Sequence, residues 1–147
     1  MQDEQLVIFK LGTQEYAFPI SQVREIIQYH SATKIPNASN FIEGIINLRG
    51  KVISVINLAN RFNLIVERQK EQRAIIIDTD RKQMAVIVDE VTEVKNLDNS
   101  VVDSLETMDV RNECIHGVVQ DGDRLLILLD ASKLADEKED SCIEIGS

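Results

Sequence analysis

Two side chains near the C-terminal end of the sequence have the types and spacing of a catalytic pair. Cys114 and His116 are separated by one residue, and the alternation of a β-strand would point both side chains to the same face. An imidazole that takes the thiol proton turns a cysteine into a nucleophile. The sequence offers no third group to orient the imidazole, and residues two apart on a strand need not touch. A thiol enzyme, or an unrelated small-barrel ligand-binding domain, is therefore only an alternative interpretation.

Acidic residues offer a second possible chemistry, because two converging carboxylates can act as general acid and base. Asp89-Glu90 follows an apolar run, and Asp78 and Asp80 lie where a hairpin turn is predicted. Solvated turn residues explain Asp78 and Asp80 better than catalysis does. We therefore predict that the protein is not an enzyme and has no catalytic residues.

Cofactor motifs are missing from the sequence. The cysteines (Cys114 and Cys142) and the histidines (His30 and His116) do not have the spacing of a metal site. No glycine-rich phosphate loop occurs, and both cysteines are best interpreted as free thiols. The sequence thus predicts no metal and no cofactor.

Composition narrows the possible partners. The 147 residues carry a formal net charge of -9 with 44% hydrophobic residues, and this acidity argues against nucleic acid or anionic lipid as partner. No run of about 18 apolar residues predicts a membrane span, and the polar start does not resemble a signal peptide. We expect a cytoplasmic protein without direct membrane insertion that is a monomer when free.

The segment Gly44–Leu58 is the stretch around which we expect the rest of the chain to be organised. Two runs rich in Val and Ile flank Arg49-Gly50, which predicts a β-hairpin whose turn uses the positive φ that glycine adopts. Arg49 would then lie at the tip of a stiff scaffold. Since the segment holds no nucleophile or metal ligands, we predict that Arg49 takes part in recognition rather than in bond-making.

The remaining segments predict short strands with brief helical turns. Hairpins are expected at Leu6–Ile20 and Ala74–Asp89, and strands at Tyr29–Ile35 and Val101-Val102. Helical turns are expected at Gln22–Ile27, after the cap Asn57 and from the cap Ser132. The capping-box spacing of Asn40–Glu43 is expected to open a short turn. A looser stretch is expected at Glu93–Arg111, a charged connector at Val66–Arg73 and a mobile acidic tail at 136–147.

Internal similarity indicates that the chain is duplicated. One constant offset lays Leu6–Ile26 on Ala74–Val94, so that Glu25 matches Glu93, and a second offset lays Gly44–Leu58 on Gly117–Ala131. Two copies of a unit with about five short strands favour a pair of small β-barrels over a parallel βαβ sheet. A groove between two barrels would suit an amphipathic helix.

Five collinear motifs extend along nearly the whole chain: Tyr16–Ile27, Ile35–Ala38, Phe41–Leu58 with its Asn-Leu-Arg-Gly element, Val86–Asp89 and Arg124–Asp130. Together they resemble one bacterial family, the chemotaxis coupling protein CheW. Where this family commonly has aspartate and glycine, the chain has Asn57 and Asn63, which still suit a helix cap and a left-handed turn. The short remainder after the second copy disfavours a receiver-fused relative such as CheV.

The resemblance implies an all-β fold of two five-stranded SH3-like barrels with short helices. It implies a single domain at 1–135, made of two repeated barrels at about 6–66 and 74–131 with possible strand exchange. It also implies a non-enzymatic adaptor that couples the cytoplasmic tips of chemoreceptors to the regulatory domain of the histidine kinase CheA, in arrays on the inner face of the membrane. An adaptor of a different chemosensory array, such as one for surface motility, is the alternative.

Matching positions carry the site residues that the resemblance implies. Receptor-binding candidates are Ile20, Val23, Glu25, Ile26, Arg49, Val86 and Val88. Kinase-binding candidates are Ile42, Gly44 and Leu48. From the residues alone, Val23 and Ile26 could equally be core, and Arg49 could be a turn residue that anchors neighbouring carbonyls.

Overall fold

A computed structural model describes residues 4–64, 71–79, 82–97, 101–103 and 114–134. This part of the chain is almost entirely β-structure, which confirms the predicted fold class. The strands are β1 (Glu4–Leu11), β2 (Gln14–Pro19), β3 (Val23–Tyr29), β4 (Ile42–Leu48), β5 (Lys51–Asn57), β6 (Gln72–Asp78), β7 (Gln83–Val88), β8 (Glu90–Leu97), β9 (Val101–Asp103), β10 (Ile115–Asp121) and β11 (Arg124–Leu129). A 3₁₀ turn spans Ile20–Gln22, and α1 (Leu58–Arg61) and α2 (Ala131–Leu134) are single helical turns.

The strands form two small sheets, and each sheet curls until its ends meet. The five-stranded sheet has the order β3-β6-β7-β5-β4, and a backbone bridge between Thr33 and Ile45 links the ends of this series. We call it barrel 1. The other sheet has the order β8-β1-β2-β11-β10-β9, and Lys95 on β8 contacts Asp121 on β10 at 2.9 Å. We call it barrel 2. The short β9 is added to the five strands that the sequence predicted.

Each barrel contains a hairpin from the other predicted repeat. The β1–β2 hairpin pairs with β8 and β11 of barrel 2, and the β6–β7 hairpin pairs with β3 and β5 of barrel 1. The described strands of barrel 1 therefore come from one stretch, 23–88, whereas those of barrel 2 come from both sides of it. The sequence segments 6–66 and 74–131 match as repeats, but the sheets are assembled across them.

The two barrels repeat each other down to the register of their strands. In barrel 1, Val23 pairs with Ile77, and Arg24 is then skipped by a bulge. In barrel 2, Val91 pairs with Phe9, and the equivalent Thr92 is skipped. The parallel ladders agree in the same way, because Val55 opposite Ala85 corresponds to Leu128 opposite Ala17. The internal similarity of the sequence therefore reflects a repeated structure with conserved pairing.

Strands with both faces buried explain the long apolar runs of the sequence. In β6, Ala74 and Ile76 point into barrel 1, while Ile75 and Ile77 point into a core shared with barrel 2. The shared core holds residues from both barrels: Val7, Phe9, Leu11, Tyr16, Phe18, Phe41, Ile56, Leu58, Ile75, Ile77, Met84, Val86, Val88, Cys114, Leu129, Ala131 and Leu134. A smaller separate core fills barrel 2 around Ile8 and Leu126. Such an apolar interface fixes the two barrels against each other.

Several local predictions are confirmed. The hairpins β1–β2, β4–β5, β6–β7 and β10–β11 form where the turn signals lie, and Val101-Val102 belongs to β9. Asn57 caps α1, because its side chain accepts a hydrogen bond from the Asn60 N–H at 3.0 Å. Asn63 adopts the predicted left-handed conformation with a φ of 58°.

Other local predictions were wrong. The segment Gln22–Ile27 is mainly strand β3 rather than a helical turn, because the bulge at Arg24 imitates helical spacing. Strand β3 ends at Tyr29, so that Thr33 contributes only an isolated bridge. The short turn expected at Asn40–Glu43 does form at Asn40–Phe41, and Ile42 and Glu43 then belong to β4. The stretch Glu93–Arg111 was expected to be loose, but its first residues, 93–97, belong to strand β8.

At the C-terminal helix the capping residue is Asp130 and not Ser132. The Asp130 Oδ1 atom accepts hydrogen bonds from the Ser132 N–H at 3.0 Å and the Ser132 hydroxyl at 2.7 Å. Cys142, Asp80, the acidic tail at 136–147 and most of the charged connector lie outside the described residues.

Candidate protein-binding surface

The tip of the β4–β5 hairpin presents an arginine on a rigid turn. Arg49 and Gly50 are the two loop residues, and both have positive φ (52° and 86°), as in the type I′ turn that suits a twisted hairpin. The Asn47 side chain accepts a hydrogen bond from the Gly50 N–H at 2.8 Å. The Arg49 side chain is 65% exposed. Its backbone is therefore fixed while its guanidinium stays available to solvent.

Arg49 forms an ion pair with Glu25 of β3. The Glu25 side chain is 28% exposed, and the pair connects β3 to the β4–β5 turn at the ends of the barrel 1 sheet. An exposed pair of this kind contributes only about 0.2–1 kcal/mol to stability. The predicted candidates Glu25 and Arg49 are thus brought together at an accessible corner, where a substitution should cost little stability.

Aliphatic side chains lie next to this corner, on β3 and on the 3₁₀ turn that precedes it. Ile20 and Ile26 are 37% and 38% exposed, and Val23 between them is half-buried against the shared core. The bulge at Arg24 leaves Val23 opposite Ile77 and Ile26 opposite Ile75, so both side chains face the shared-core side of the strand. The order Ile20, Val23, Ile26 therefore forms an apolar stripe, which we call the β3 stripe.

A groove follows the line along which barrel 1 closes. Its volume is about 360 Å³, and its lining comes from Ile27–Thr33 on one side and Ile45–Asn47 on the other. The Thr33–Ile45 backbone bridge crosses it, with both N–H to O distances at 2.9 Å. We call this line the seam of barrel 1.

Two predicted receptor-binding residues are core residues. Val86 and Val88 lie on β7, have 0% exposure, and pack in the shared core. The prediction that they contact a receptor directly is therefore wrong for this structure, since no surface of either side chain reaches solvent. Their alternating apolar pattern is the same for a groove wall and for a buried strand, so the sequence could not separate the two roles.

The predicted kinase-binding residues all lie on the end strand β4 but differ in access. Ile42 and Leu48 are half-buried and pack against the shared core and the barrel 1 core, respectively. Gly44 is buried, and a Cβ atom at this position would lie 2.2 Å from the Thr33 carbonyl oxygen. Gly44 therefore serves the seam through its missing side chain, and a direct contact by that residue is not supported.

The residues that could have carried chemistry are separated or engaged in structural contacts. Cys114 is 1% exposed in the turn before β10, whereas His116 is exposed on β10, so the predicted shared face does not form. Asp78 pairs with Arg24 at 3.2 Å. Asp89 accepts a hydrogen bond from the Gly12 N–H at 2.7 Å and thereby ties the β7–β8 link to the β1–β2 turn.

Barrel 2 carries a charge cluster that the sequence reasoning missed. Arg124 contacts three carboxylates: Glu15 at 3.2 Å, Glu93 at 2.9 Å and Asp121. Lys95 also contacts Asp121. Hydrogen bonds from Arg124 and then from Lys95 lower the pKa of Asp121, and Asp121 in turn raises the pKa of Arg124. The repeat was the available signal, because it matches Glu93 to Glu25 and places a cation at the start of β11.

The described part of the chain has neither a metal-binding cluster nor a membrane-spanning helix. No group of three or more metal-ligating side chains lies there. No helix there is long and apolar enough to cross a membrane.

Comparisons with known proteins agree with the motifs. Residues 5–139 match the family model for the CheW-like domain. The chain is 35% identical to a chemotaxis protein CheW of Treponema pallidum, over 92% of this chain and 84% of that protein. It is 33% identical to the chemotaxis protein CheW of Bacillus subtilis, over 92% of this chain and 88% of that protein.

A solved structure extends the likeness to three dimensions. The crystal structure of the scaffolding protein TtCheW from Thermoanaerobacter tengcongensis superposes with a TM-score of 0.80 and 35% sequence identity. The match covers 87% of this chain and 89% of that chain. The double-barrel architecture is therefore shared.

Proposed function

The chain belongs to the CheW-like domain family, and from this premise we propose that it is a chemotaxis adaptor that joins chemoreceptors to the histidine kinase CheA. The proposed task is to hold partners together rather than to transform a substrate. Its site of action would be receptor arrays on the inner face of the membrane, reached through those partners. The single domain at 1–135 and the free monomer remain part of the same proposal.

The observation that carries the proposal is the Arg49 corner. An arginine occupies a turn position with positive φ, where asparagine or glycine is the favoured residue. Residues held in such conformations concentrate at functional sites. The ion pair that Arg49 makes is exposed and adds little stability. A demand from a partner explains the arginine better than folding does.

We assign the receptor-binding surface to the β3 stripe and the Arg49–Glu25 corner. A helical receptor tip would place apolar side chains against Ile20, Val23 and Ile26, each at least partly accessible. Charged groups at the edge of such a patch set the register of the bound helix. Glu25 and Arg49 would set this register, whereas Val86 and Val88 would act only by supporting the β3 stripe from within the shared core.

We assign the kinase-binding surface to the two ends of β4. Ile42 and Leu48 lie at the first and last positions of this end strand, and each keeps part of its side chain accessible. The regulatory domain of the kinase is expected to use a barrel of similar kind, so barrel-to-barrel packing is the geometry proposed. Gly44 would contribute by keeping the seam closed.

A binding titration with charge-reversed variants tests the proposal. Wild type and Arg49→Glu would be titrated with a chemoreceptor tip fragment and, separately, with the kinase regulatory domain. Loss of a central interface residue typically costs about 2 kcal/mol, so we expect Arg49→Glu to weaken one of the two complexes by more than tenfold. The melting temperature should stay nearly unchanged, because the pair is exposed.

Arg24→Glu provides the matched control. Arg24 lies on β3 next to Glu25, is 58% exposed and, like Arg49, forms an ion pair, in its case with Asp78. This variant makes the same charge change without touching the corner, so its affinities should remain near wild type. Equal weakening by both variants would reduce the effect to net charge, and failure of the wild-type protein to bind either partner would overturn the adaptor function.

A further inference from the structure

A buried arginine lies between the two barrels. Arg61 at the end of α1 is 6% exposed, and it is the only buried charged residue of the described chain. Its guanidinium carbon lies 4.7 Å from the centre of the Phe41 ring, and its Nε atom has no hydrogen-bond partner. Within the described residues, none of the ion pairs joins a carboxylate to Arg61.

The hydrogen-bond partner of this guanidinium is a thiol. The Arg61 Nη2 atom donates a hydrogen bond to the Cys114 Sγ atom at 3.2 Å, and the contact is buried. Cys114 is itself 1% exposed and lies in the shared core with Leu129 and Ala131. A guanidinium and a thiol therefore face each other in a site from which water is excluded.

Burial of an unpaired charge is unfavourable, so the site needs an anion. A neighbouring guanidinium is among the groups that favour the thiolate form of cysteine. Among the described residues near Cys114, neither Asp130 nor His116 fills this role. Asp130 uses its carboxylate on Ser132 and Gln22, although its N–H bonds the Cys114 carbonyl at 2.9 Å, and His116 is exposed.

We propose that Cys114 is held as a thiolate by Arg61 and that this buried ion pair fastens the two barrels together. Arg61 comes from α1 of barrel 1, and Cys114 directly precedes β10 of barrel 2. The pair crosses the apolar interface between the barrels, where Arg61 has no carboxylate partner among the described ion pairs. Asp130, whose N–H bonds the Cys114 carbonyl, links this region to the 3₁₀ turn before β3. Gln22 of that turn donates a hydrogen bond to the Asp130 Oδ1 atom at 3.4 Å and accepts one from the Ala131 N–H at 3.0 Å.

Ultraviolet absorbance of the thiolate tests the proposal on the full chain. The Cys142→Ser variant leaves Cys114 as its one thiol, and the spectrum of the Cys114→Ser/Cys142→Ser double variant is subtracted to remove the tyrosines. We expect about one thiolate per folded chain at neutral pH. An ordinary thiol with a pKa of about 8.5 would be only about 3% ionised at pH 7.

Substitutions of Arg61 identify the cause of the ionisation. Arg61→Met keeps an unbranched apolar chain at this buried position but removes the charge, so the thiolate signal at neutral pH should disappear. Arg61→Lys retains a cation and should preserve most of the signal, which keeps the test valid if the methionine variant folds poorly. A thiol that ionises only near its ordinary value in the Cys142→Ser variant, or a thiolate that survives in Arg61→Met, would overturn the proposal.

Thermal unfolding supplies a second readout with a defined sign. A thiolate favoured only in the folded state stabilises the protein fully above the ordinary thiol value of about 8.5, and this stabilisation is lost as the pH falls through the lower folded value. The melting temperature of Cys142→Ser should therefore exceed that of the double variant by more at about pH 9 than at about pH 5. A difference that does not change with pH would mean a neutral thiol.

Discussion

The hairpin tips of the two barrels are equivalent in position and different in composition. Barrel 1 places Arg49 and Gly50 in the two-residue loop, both with positive φ. At the position equivalent to Arg49, barrel 2 has Gly122, which adopts the same sign of φ without a steric penalty. One copy of the unit thus satisfies the turn with glycine, and the other accepts strain to present a cation.

The residues that close the two barrels also differ in composition. In barrel 2, Lys95 and Asp121 form an ion pair, and Arg124 joins Glu15, Glu93 and Asp121 in one cluster. The barrel 1 positions equivalent to Lys95 and Asp121 are the half-buried Ile27 and Leu48. Barrel 2 therefore uses its charges to close itself. Barrel 1 closes with apolar contacts and a backbone bridge, which leaves the Arg49–Glu25 pair accessible to a partner.

The largest expected effect breaks the barrel 1 seam. Gly44→Ala places a Cβ atom 2.2 Å from the Thr33 carbonyl oxygen, a backbone atom that cannot move without opening the bridge to Ile45. Overpacking together with a positive φ of 152° should cost about 3–5 kcal/mol. Urea denaturation would measure this loss.

Gly50→Ala is the control for the glycine effect. Its φ is also positive, at 86°, but a Cβ atom there meets nothing within 4 Å. We expect a loss of about 1–2 kcal/mol from the backbone conformation alone. Equal losses at the two positions would show that the seam contact is not what Gly44 protects.

A smaller effect should come from breaking the barrel 2 cluster. Arg124→Gln removes the cation shared by Glu15, Glu93 and Asp121, so that these carboxylates repel one another. We expect the melting temperature to fall by several degrees, and the loss to shrink in high salt, where the repulsion is screened. Arg49→Gln, which interrupts a single exposed pair, should change the melting temperature less. The reverse order would contradict the assignment of a closing function to the barrel 2 charges.

The pH dependence should also follow barrel 2. Arg124 and then Lys95 lower the pKa of Asp121 in the folded state, so this carboxylate stabilises the fold above the unfolded value of about 3.9. That contribution is lost as the pH falls through the lower folded value. The stability difference between wild type and Asp121→Asn should therefore be present at neutral pH and vanish in strong acid. A stability difference that stays constant across this pH range would mean that protonation of Asp121 does not contribute to acid destabilisation.

The smallest effect on stability should come from copying one tip onto the other. Arg49→Gly gives barrel 1 the residue found at the equivalent position of barrel 2 and relieves the positive φ, so we expect a gain of about 0.5–1 kcal/mol. Receptor or kinase binding should weaken in the same variant, in line with a trade between stability and recognition. Unchanged binding together with higher stability would mean that Arg49 is only a turn residue and has no function in binding.

Turn chemistry and internal repetition predicted much of the fold. Gly12, Gly50 and Gly122 mark hairpin turns with positive φ, and the two constant offsets already align the residues that pair equivalently in the barrels. The repeat could not reveal which hairpin joins which sheet. That choice depends on both faces of β1 and β6 being buried, and a continuous apolar run does not say which neighbour covers each face.

The candidate site was less predictable for related reasons. The bulge at Arg24 puts Val23 and Ile26 on one face, which a linear pattern cannot distinguish from a helical turn. Val86 and Val88 have the same residue type as accessible groove residues but are core. Gly44 acts through the approach of Thr33, a neighbour known only once the seam has formed. Arg49 was accessible to prediction because a two-residue turn fixes its position locally.

The exchange of hairpins has a consequence for synthesis on the ribosome. The β1–β2 hairpin is made first, yet its partners β8 and β11 begin at Glu90 and Arg124, so the earliest strands wait with unpaired edges while the middle of the chain is completed. The stretch 23–88 contains every described strand of barrel 1 and can close before them. Contacts between such distant segments form slowly and leave apolar edges open to aggregation. A nascent chain that stalls before Arg124 would therefore be the form most in need of a chaperone.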